Sequence, residues 1–419
     1  MSELQKSFAK SKLARLPPDI SMFDELPEHE PANAGHGEWG KFDDDSSSAS
    51  SASSTGTVMP SPSQKLFARN SGTQIGRGEM SSLPWIDYFQ RELFLEEDTD
   101  DLHITHHAYI TPPEDSGPLF VMHHGAGSSG LSFAACAQEI RKILPSAGIL
   151  SLDARNHGNS TSRSNTQPTD IEVNTDELDL SLETLSRDLV YVIRHTKEEM
   201  KWESIPPLVL IGHSLGGAVV THVARTGELG SDVLAYAVLD VVEGSAMDAL
   251  QSMETYLSIR PSSFPSLSAG ITWHLRSRTI RNTNSARISV PGLLREDKSD
   301  SSRPWKWNTN LAATKPFWEN WFIGLSKKFL EAKGGKLLLL AGTDRLDKEL
   351  IIGQMQGKYQ LQVFPEAGHF IHEDQPTKTA RILVDFYKRN DRSALVLPPK
   401  VGDMMATKAM SKVLGFPSS

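Results

Sequence analysis

Pro206-Pro207-Leu208-Val209-Leu210-Ile211-Gly212-His213-Ser214-Leu215-Gly216-Gly217-Ala218-Val219-Val220-Thr221-His222-Val223-Ala224 changes character twice along its length. Leu208 to Ile211 form an apolar run of the length expected for a strand buried on both faces. From Gly217 onward small and apolar residues suit a closely packed helix. Between them stands Gly212-His213-Ser214-Leu215-Gly216, a Gly-x-Ser-x-Gly turn with a mechanical reason for its spacing. A serine on so sharp a strand-to-helix corner takes a strained backbone, and a Cβ on either flanking glycine would strike the neighbouring strand or helix. Ser214 is therefore the candidate nucleophile. The Leu215 N–H, at the start of the helix, is the first candidate oxyanion donor.

Working outward, Pro118 to His123 reads as another buried strand, running into His124-Gly125-Ala126-Gly127-Ser128-Ser129-Gly130. In a fold with a serine elbow the loop after this strand supplies a second oxyanion N–H, here assigned to Ala126, with His124 expected to brace the loop. Gly148 to Asp153 is a further strand, ending in Asp153-Ala154-Arg155-Asn156-His157-Gly158-Asn159-Ser160, a structural turn in which Asp153 and Arg155 are expected to pair. Leu182, Leu185, Leu189 and Ile193 recur at helical spacing and predict a helix over Leu180 to Lys197. Val233 to Asp240, Lys336 to Asp344 and Tyr359 to Phe364 complete the strands, and Thr379 to Lys388 a last helix. Alternating buried strands and amphipathic helices predict an α/β-hydrolase fold, a mostly parallel sheet with helices on both faces. Its folded part spans about residues 81–395, beginning with the aromatic cluster Trp85-Ile86-Asp87-Tyr88-Phe89 and an antiparallel strand over Leu102 to Thr111.

The strand rhythm breaks over residues 241–332, where Trp305, Trp307, Phe317, Trp318, Trp321 and Phe322 gather. An insertion of this kind forms a lid in which substrate is selected, with Glu296 to Arg303 expected as a mobile loop. Residues 1–80 carry Asp43-Asp44-Asp45, a Ser/Ala run and Pro60-Ser61-Pro62, too little apolar surface to offset the entropy of ordering, and predict a disordered tail. Lys6 to Leu16 could become helical against a partner. Residues 396–419 read as a second tail. The chain has 419 residues, a net charge of −9 and no basic stripe, which argues against nucleic-acid binding. The lone Cys136 excludes an intrachain disulfide. Neither a secretory leader nor a membrane-spanning run is expected, so a cytoplasmic or nuclear protein is the expectation, and it is expected to be a monomer.

In this fold the catalytic groups follow in the order nucleophile, acid, base. His369, after Gly368 in the loop beyond the last strand, fits the general base, with His372 directed elsewhere. Two acids compete: Asp344 follows the penultimate strand, Asp240 the strand after the elbow helix. Either could hold the imidazole tautomer, and spacing does not choose between them.

Ile211-Gly212-His213-Ser214-Leu215-Gly216-Gly217-Ala218, the stretch Leu239-Asp240-Val241-Val242-Glu243-Gly244-Ser245-Ala246-Met247-Asp248-Ala249-Leu250, Leu337 to Asp347 with Ile352-Gly353-Gln354-Met355-Gln356-Gly357, Gly368-His369, and Ile371-His372-Glu373-Asp374 resemble the protein phosphatase methylesterase family. The likeness runs from about Pro84 to Arg389 and does not reach the N-terminal tail. It implies that Asp240 is the acid and Asp344 a structural neighbour beside Arg345. It implies a serine esterase, needing no cofactor or metal, that removes the methyl ester from the C-terminal leucine of the type 2A protein phosphatase catalytic subunit. Met355 and Arg389 become candidate contacts with that partner, although core burial of Met355 is the plainer expectation. Two other readings share these residues: a small-molecule carboxylesterase or lipase, and a phosphatase-binding regulator whose catalysis is incidental.

Overall fold

The computed structural model describes residues 80–165, 179–342 and 346–391. The expected N-terminal tail, the Lys6 to Leu16 segment, Asp344, Arg345 and the C-terminal tail lie outside the described residues. Among the described residues, no helix is long and apolar enough to cross a membrane.

Twelve strands are described: β1 (Arg91–Asp98), β2 (Leu102–Thr111), β3 (Leu119–His123), β4 (Gly148–Leu152), β5 (Thr161–Ser164), β6 (Leu208–His213), β7 (Val233–Leu239), β8 (Ser263–Phe264), β9 (Leu294–Glu296), β10 (Trp305–Trp307), β11 (Gly335–Leu340) and β12 (Gln360–Val363). Eight lie in the order β1-β2-β4-β3-β6-β7-β11-β12, with β5 paired on β2. β1, β2 and β5 run antiparallel to their neighbours, and every pairing from β4 to β12 is parallel. The fold is the expected α/β-hydrolase fold.

The period of two in the central strands divides the core. Leu208 and Leu210 of β6 pack into one cluster with the Leu182–Glu199 and Leu215–Thr226 helices. Val209 and Ile211, from the same strand, pack into another with the Ala134–Ile143 and Pro376–Asn390 helices. Leu182, Leu185, Leu189 and Ile193 are all buried, as their spacing predicts. Helices therefore cover both faces, and the parallel strands all deliver their C-terminal ends to one rim.

The insertion after β7 builds a layer of its own, the three-stranded antiparallel sheet β8-β10-β9 with a separate cluster of Phe264, Ile271, Ile280, Ala286, Val290 and Leu294. The segment from Glu296 to Arg303, read from sequence as a mobile loop, is laced by side chain to backbone bonds. Asp297 Oδ1 accepts from the Ser299 N–H at 2.9 Å and Asp300 Oδ1 from the Ser302 N–H at 3.0 Å, while Arg303 donates to Ser263 on β8. One pairing expected from sequence is corrected. Arg155 does not bind Asp153; it holds Asp188 through Nε and Nη2 at 2.8 and 2.7 Å. Asp153 turns instead to His107 Nδ1 at 2.8 Å and the Gly130 and Asn159 N–H groups at 2.7 and 2.8 Å. A buried carboxylate at a strand end meets more donors by facing inward, and the helix offers the guanidinium a bidentate partner.

Candidate active site

The corner at Ser214 is as sharp as its glycines require. Ser214 adopts φ 51°, ψ −117°, outside the regions a side chain prefers. The turn is over-determined: the Ser214 N–H donates to the Leu239 carbonyl at 3.0 Å and its carbonyl accepts from the Gly217 N–H at 2.8 Å. A Cβ on Gly212 would lie 2.0 Å from the Gly216 carbonyl oxygen, and one on Gly216 would lie 2.1 Å from that of His123.

Asp240 and His369 meet although they are far apart in sequence. His369 Nδ1 lies 2.8 Å from Asp240 Oδ2. The Asp240 side chain is wholly buried and that of His369 is 45% exposed. Asp240 is fixed at φ 50°; its N–H donates to the Leu339 carbonyl at 2.7 Å and its Oδ1 accepts from the Ala341 N–H at 2.8 Å. The acid is thus clamped between the ends of β7 and β11.

The sequence alone gives His213 no role. Its Nε2–H donates to the His369 carbonyl at 2.9 Å, tying the loop that carries the imidazole to the residue before Ser214. Burial pushes its own imidazole pKa well down, so it is neutral, and the bond to a carbonyl assigns the proton to Nε2. The only signal in the sequence was a histidine at the variable position of the elbow. His372, expected to point elsewhere, is buried, stacked 4.2 Å from the Phe133 ring, and burial pushes it down to about 3.

The loop after β3 is held by two neutral histidines. His124 donates through Nδ1 to the Gly125 carbonyl at 2.7 Å and accepts the Ala154 N–H on Nε2 at 2.9 Å, the bracing role expected of it. His157 donates through Nδ1 to the Arg155 carbonyl and accepts the Gly127 N–H on Nε2, both at 2.9 Å. With Gly127 and Ser128 bonded, the Ala126 N–H has no acceptor among the described residues, and neither has the Leu215 N–H that opens its helix. The register of β3 on β6 sets His123 beside Gly212, which brings these two amides to the same rim.

Ser214, His369 and Ala126 line one cavity of about 700 Å³ roofed by Tyr256, Trp307 and Leu311 of the insertion. Among the described residues no hydrogen bond joins Ser214 Oγ to the imidazole, but the two groups open onto the same space. Catalytic contacts often close to hydrogen-bond length only around a substrate. Met355, for which core burial was the plainer expectation, is 80% exposed, with Ile351 and Ile352 at 44% each on the same Lys348–Met355 helix. Arg389 donates to Gln360 Oε1 at 2.6 Å on the surface. The side chains of Glu97, His106 and Asp188 could together face a cation, but Arg155 already occupies both Asp188 oxygens, and none of the three lines the cavity.

A serine on a strand-to-helix corner, an aspartate–histidine couple delivered by later strands and two free amides at the same rim define an α/β-hydrolase. The model of the alpha/beta hydrolase family matches residues 120–382. Protein phosphatase methylesterase 1 of Aspergillus fumigatus is 68% identical over 422 residues, covering 100% of this chain and 96% of the relative. Its namesake in Neurospora crassa is 56% identical, covering 97% and 99%. The chain belongs to the protein phosphatase methylesterase family. Among solved structures, E-2-(acetamidomethylene)succinate hydrolase matches with a TM-score of 0.53 at 17% identity, covering 71% of this chain and 100% of that one, a likeness of fold alone.

Proposed function

We propose that this chain removes the methyl ester from the C-terminal leucine of the type 2A protein phosphatase catalytic subunit, with Ser214 as nucleophile, His369 as general base and Asp240 as the acid that orients it. The observation that carries this reading is the 2.8 Å contact of Asp240 with His369 beside a strained Ser214, in a chain matched end to end by a methylesterase.

Ser214 Oγ attacks the ester carbonyl as His369 Nε2 takes its proton, with Asp240 holding Nδ1–H and stabilising the imidazolium. The Ala126 and Leu215 N–H groups receive the charge on the tetrahedral oxygen, each worth on the order of a hundredfold in rate. The imidazolium returns the proton to the departing methoxide, methanol leaves, and water activated by the same imidazole frees the carboxylate from Ser214. The exposed Ile351, Ile352 and Met355 form an apolar face suited to the body of a protein substrate, and Arg389 on the surface is a candidate polar contact.

The test is incubation of the purified chain, beside Ser214→Ala, with methylated phosphatase catalytic subunit, following loss of the methyl group. Demethylation that disappears in Ser214→Ala supports the proposal. Rapid hydrolysis of short acyl esters with no action on the methylated protein would make the chain a small-molecule esterase instead.

A further inference from the structure

The cavity carries a charge pattern that ester hydrolysis does not use. A methyl ester is neutral, and the charge of the tetrahedral oxygen falls to backbone N–H groups. Yet Arg260, Arg278 and Arg281 all line this space, against one carboxyl, Glu373. Glu373 does not neutralise them. It is 1% exposed, its Oε2 accepts from the Ser289 hydroxyl at 2.5 Å, and burial lifts its pKa well above the carboxylate range, so it is an uncharged acid. Arg281 is engaged, donating through Nη1 to the Glu366 carbonyl at 2.6 Å with its Nε 3.6 Å from Asp374. Arg260 and Arg278 have no carboxylate partner among the described residues.

Arg260 is nonetheless held in place. Its guanidinium carbon stands 4.4 Å from the centroid of the Trp307 ring. Trp307 is fixed in turn: its Nε1–H donates to the Pro261 carbonyl at 2.7 Å, and Phe264 and His274 meet it edge-on, each at 5.6 Å. Stacking spends the face of a guanidinium and leaves its in-plane N–H donors for a carboxylate. Arg278 sits at φ 57°, a left-handed conformation that strains a long side chain and that glycine would hold without cost. A cavity of about 700 Å³ is also far larger than one leucine methyl ester needs.

On the reading that the substrate is an esterified protein C-terminus, we propose that Arg260 and Arg278 select substrates bearing an acidic side chain a few residues before the esterified one. The ester end is uncharged, so the anion these arginines receive belongs to a preceding residue. The lid thereby reads the charge of the tail while the rim of the sheet performs the hydrolysis.

Peptides ending in leucine methyl ester, identical except for Asp or Asn at the second, third or fourth residue from the end, test this. With the full chain, one position is expected to favour Asp by about ten- to a hundredfold in kcat/KM, the range of a hydrogen bond to a charged group. The Asp/Asn ratio at that position should fall below about threefold in Arg260→Met and in Arg278→Gly, and in the parent it should shrink as salt rises from 50 to 500 mM. Arg278→Gly relieves strain, so it guards against misfolding in Arg260→Met. Equal hydrolysis of Asp and Asn peptides at all three positions would overturn the proposal while leaving the esterase reading intact. So would arginine variants that relieve inhibition by the free-acid product without changing the ratio. Peptides left intact by a chain that still demethylates the whole phosphatase would overturn the proposal, since the cavity would then not read the tail; failure on both would remove the substrate reading with it.

Discussion

Asp240→Asn perturbs the site at its most buried point. Asparagine keeps an oxygen for the Ala341 N–H and, like aspartate, tolerates the positive φ of 50° found there. The fold should survive, with Tm within about 2 °C of the parent, since the amide has the shape of the carboxylate and keeps the bond to the Ala341 N–H. The imidazole, in contrast, loses twice. Its charged form loses a carboxylate with no water to replace it; at an ionic separation of about 4 Å and an effective dielectric of about 20, that is about 4 kcal/mol, or about three decades in rate. If the amide presents its NH₂ to Nδ1, the imidazole proton moves to Nε2, and the base can no longer accept from Ser214. Together these should lower kcat by about ten-thousandfold, the scale seen when a buried triad aspartate becomes asparagine elsewhere. The assay is single-turnover loss of labelled methyl from a leucine methyl ester peptide, with calorimetry to confirm the fold. Retention of more than about a tenth of parental kcat at unchanged Tm would refute the reasoning, since a loss of 4 kcal/mol cannot leave so much. Asp344→Asn, run beside it, should then be the variant that fails.

Gly216→Ala should lower stability by about 3 kcal/mol and Tm by roughly 6–12 °C, because the new Cβ meets the His123 carbonyl oxygen at 2.1 Å; Gly227→Ala, whose Cβ meets nothing, should cost only about 1 kcal/mol, and equal melting temperatures would contradict this. Burial pushes His123 and His274 down to about 4 and His372 to about 3, so each folded-state pKa lies below the ordinary 6.5. The stability they contribute is present above pH 6.5 and lost as pH falls toward those values, about 2 kcal/mol each by pH 5. Glu373, raised by burial, works in the opposite direction and returns part of it. The midpoint of urea unfolding should therefore fall between pH 7.5 and pH 5, and a midpoint that holds or rises would count against neutral buried histidines. Met355→Glu should lower kcat/KM for the intact phosphatase by about tenfold relative to that for a short methyl ester peptide; an unchanged ratio would place docking elsewhere.

The strands around the site were legible because burial on both faces leaves nearly unbroken apolar runs, as in Leu208 to Ile211 and Leu337 to Leu340. β1 was not. Arg91 to Asp98 offers only Leu93 and Leu95 to the core, and its acids reach across to β2, Glu96 accepting from Thr105 at 2.8 Å and Glu97 from His106 at 2.8 Å. Such an edge strand is held by partners more than a turn away, so its own composition reads as a charged loop. Ser214 and His369 could be proposed from local patterns, because glycines beside them mark tight turns. Arg155 misled the reading because its partner lies in a helix thirty-three residues on, and proximity in sequence favoured Asp153. Nothing in the sequence pairs Arg260 with Trp307, since only the lid's own sheet brings them together.

The bond from His213 to the main chain of His369 restricts how the base can travel. One end of residue 369 is pinned through its carbonyl to the strand bearing the nucleophile, and the far side of its ring is pinned at Nδ1 to an immobile acid. What freedom remains is a swivel between two fixed points, so a ligand entering the cavity meets an imidazole that can pivot toward the hydroxyl but cannot withdraw without breaking one of its tethers.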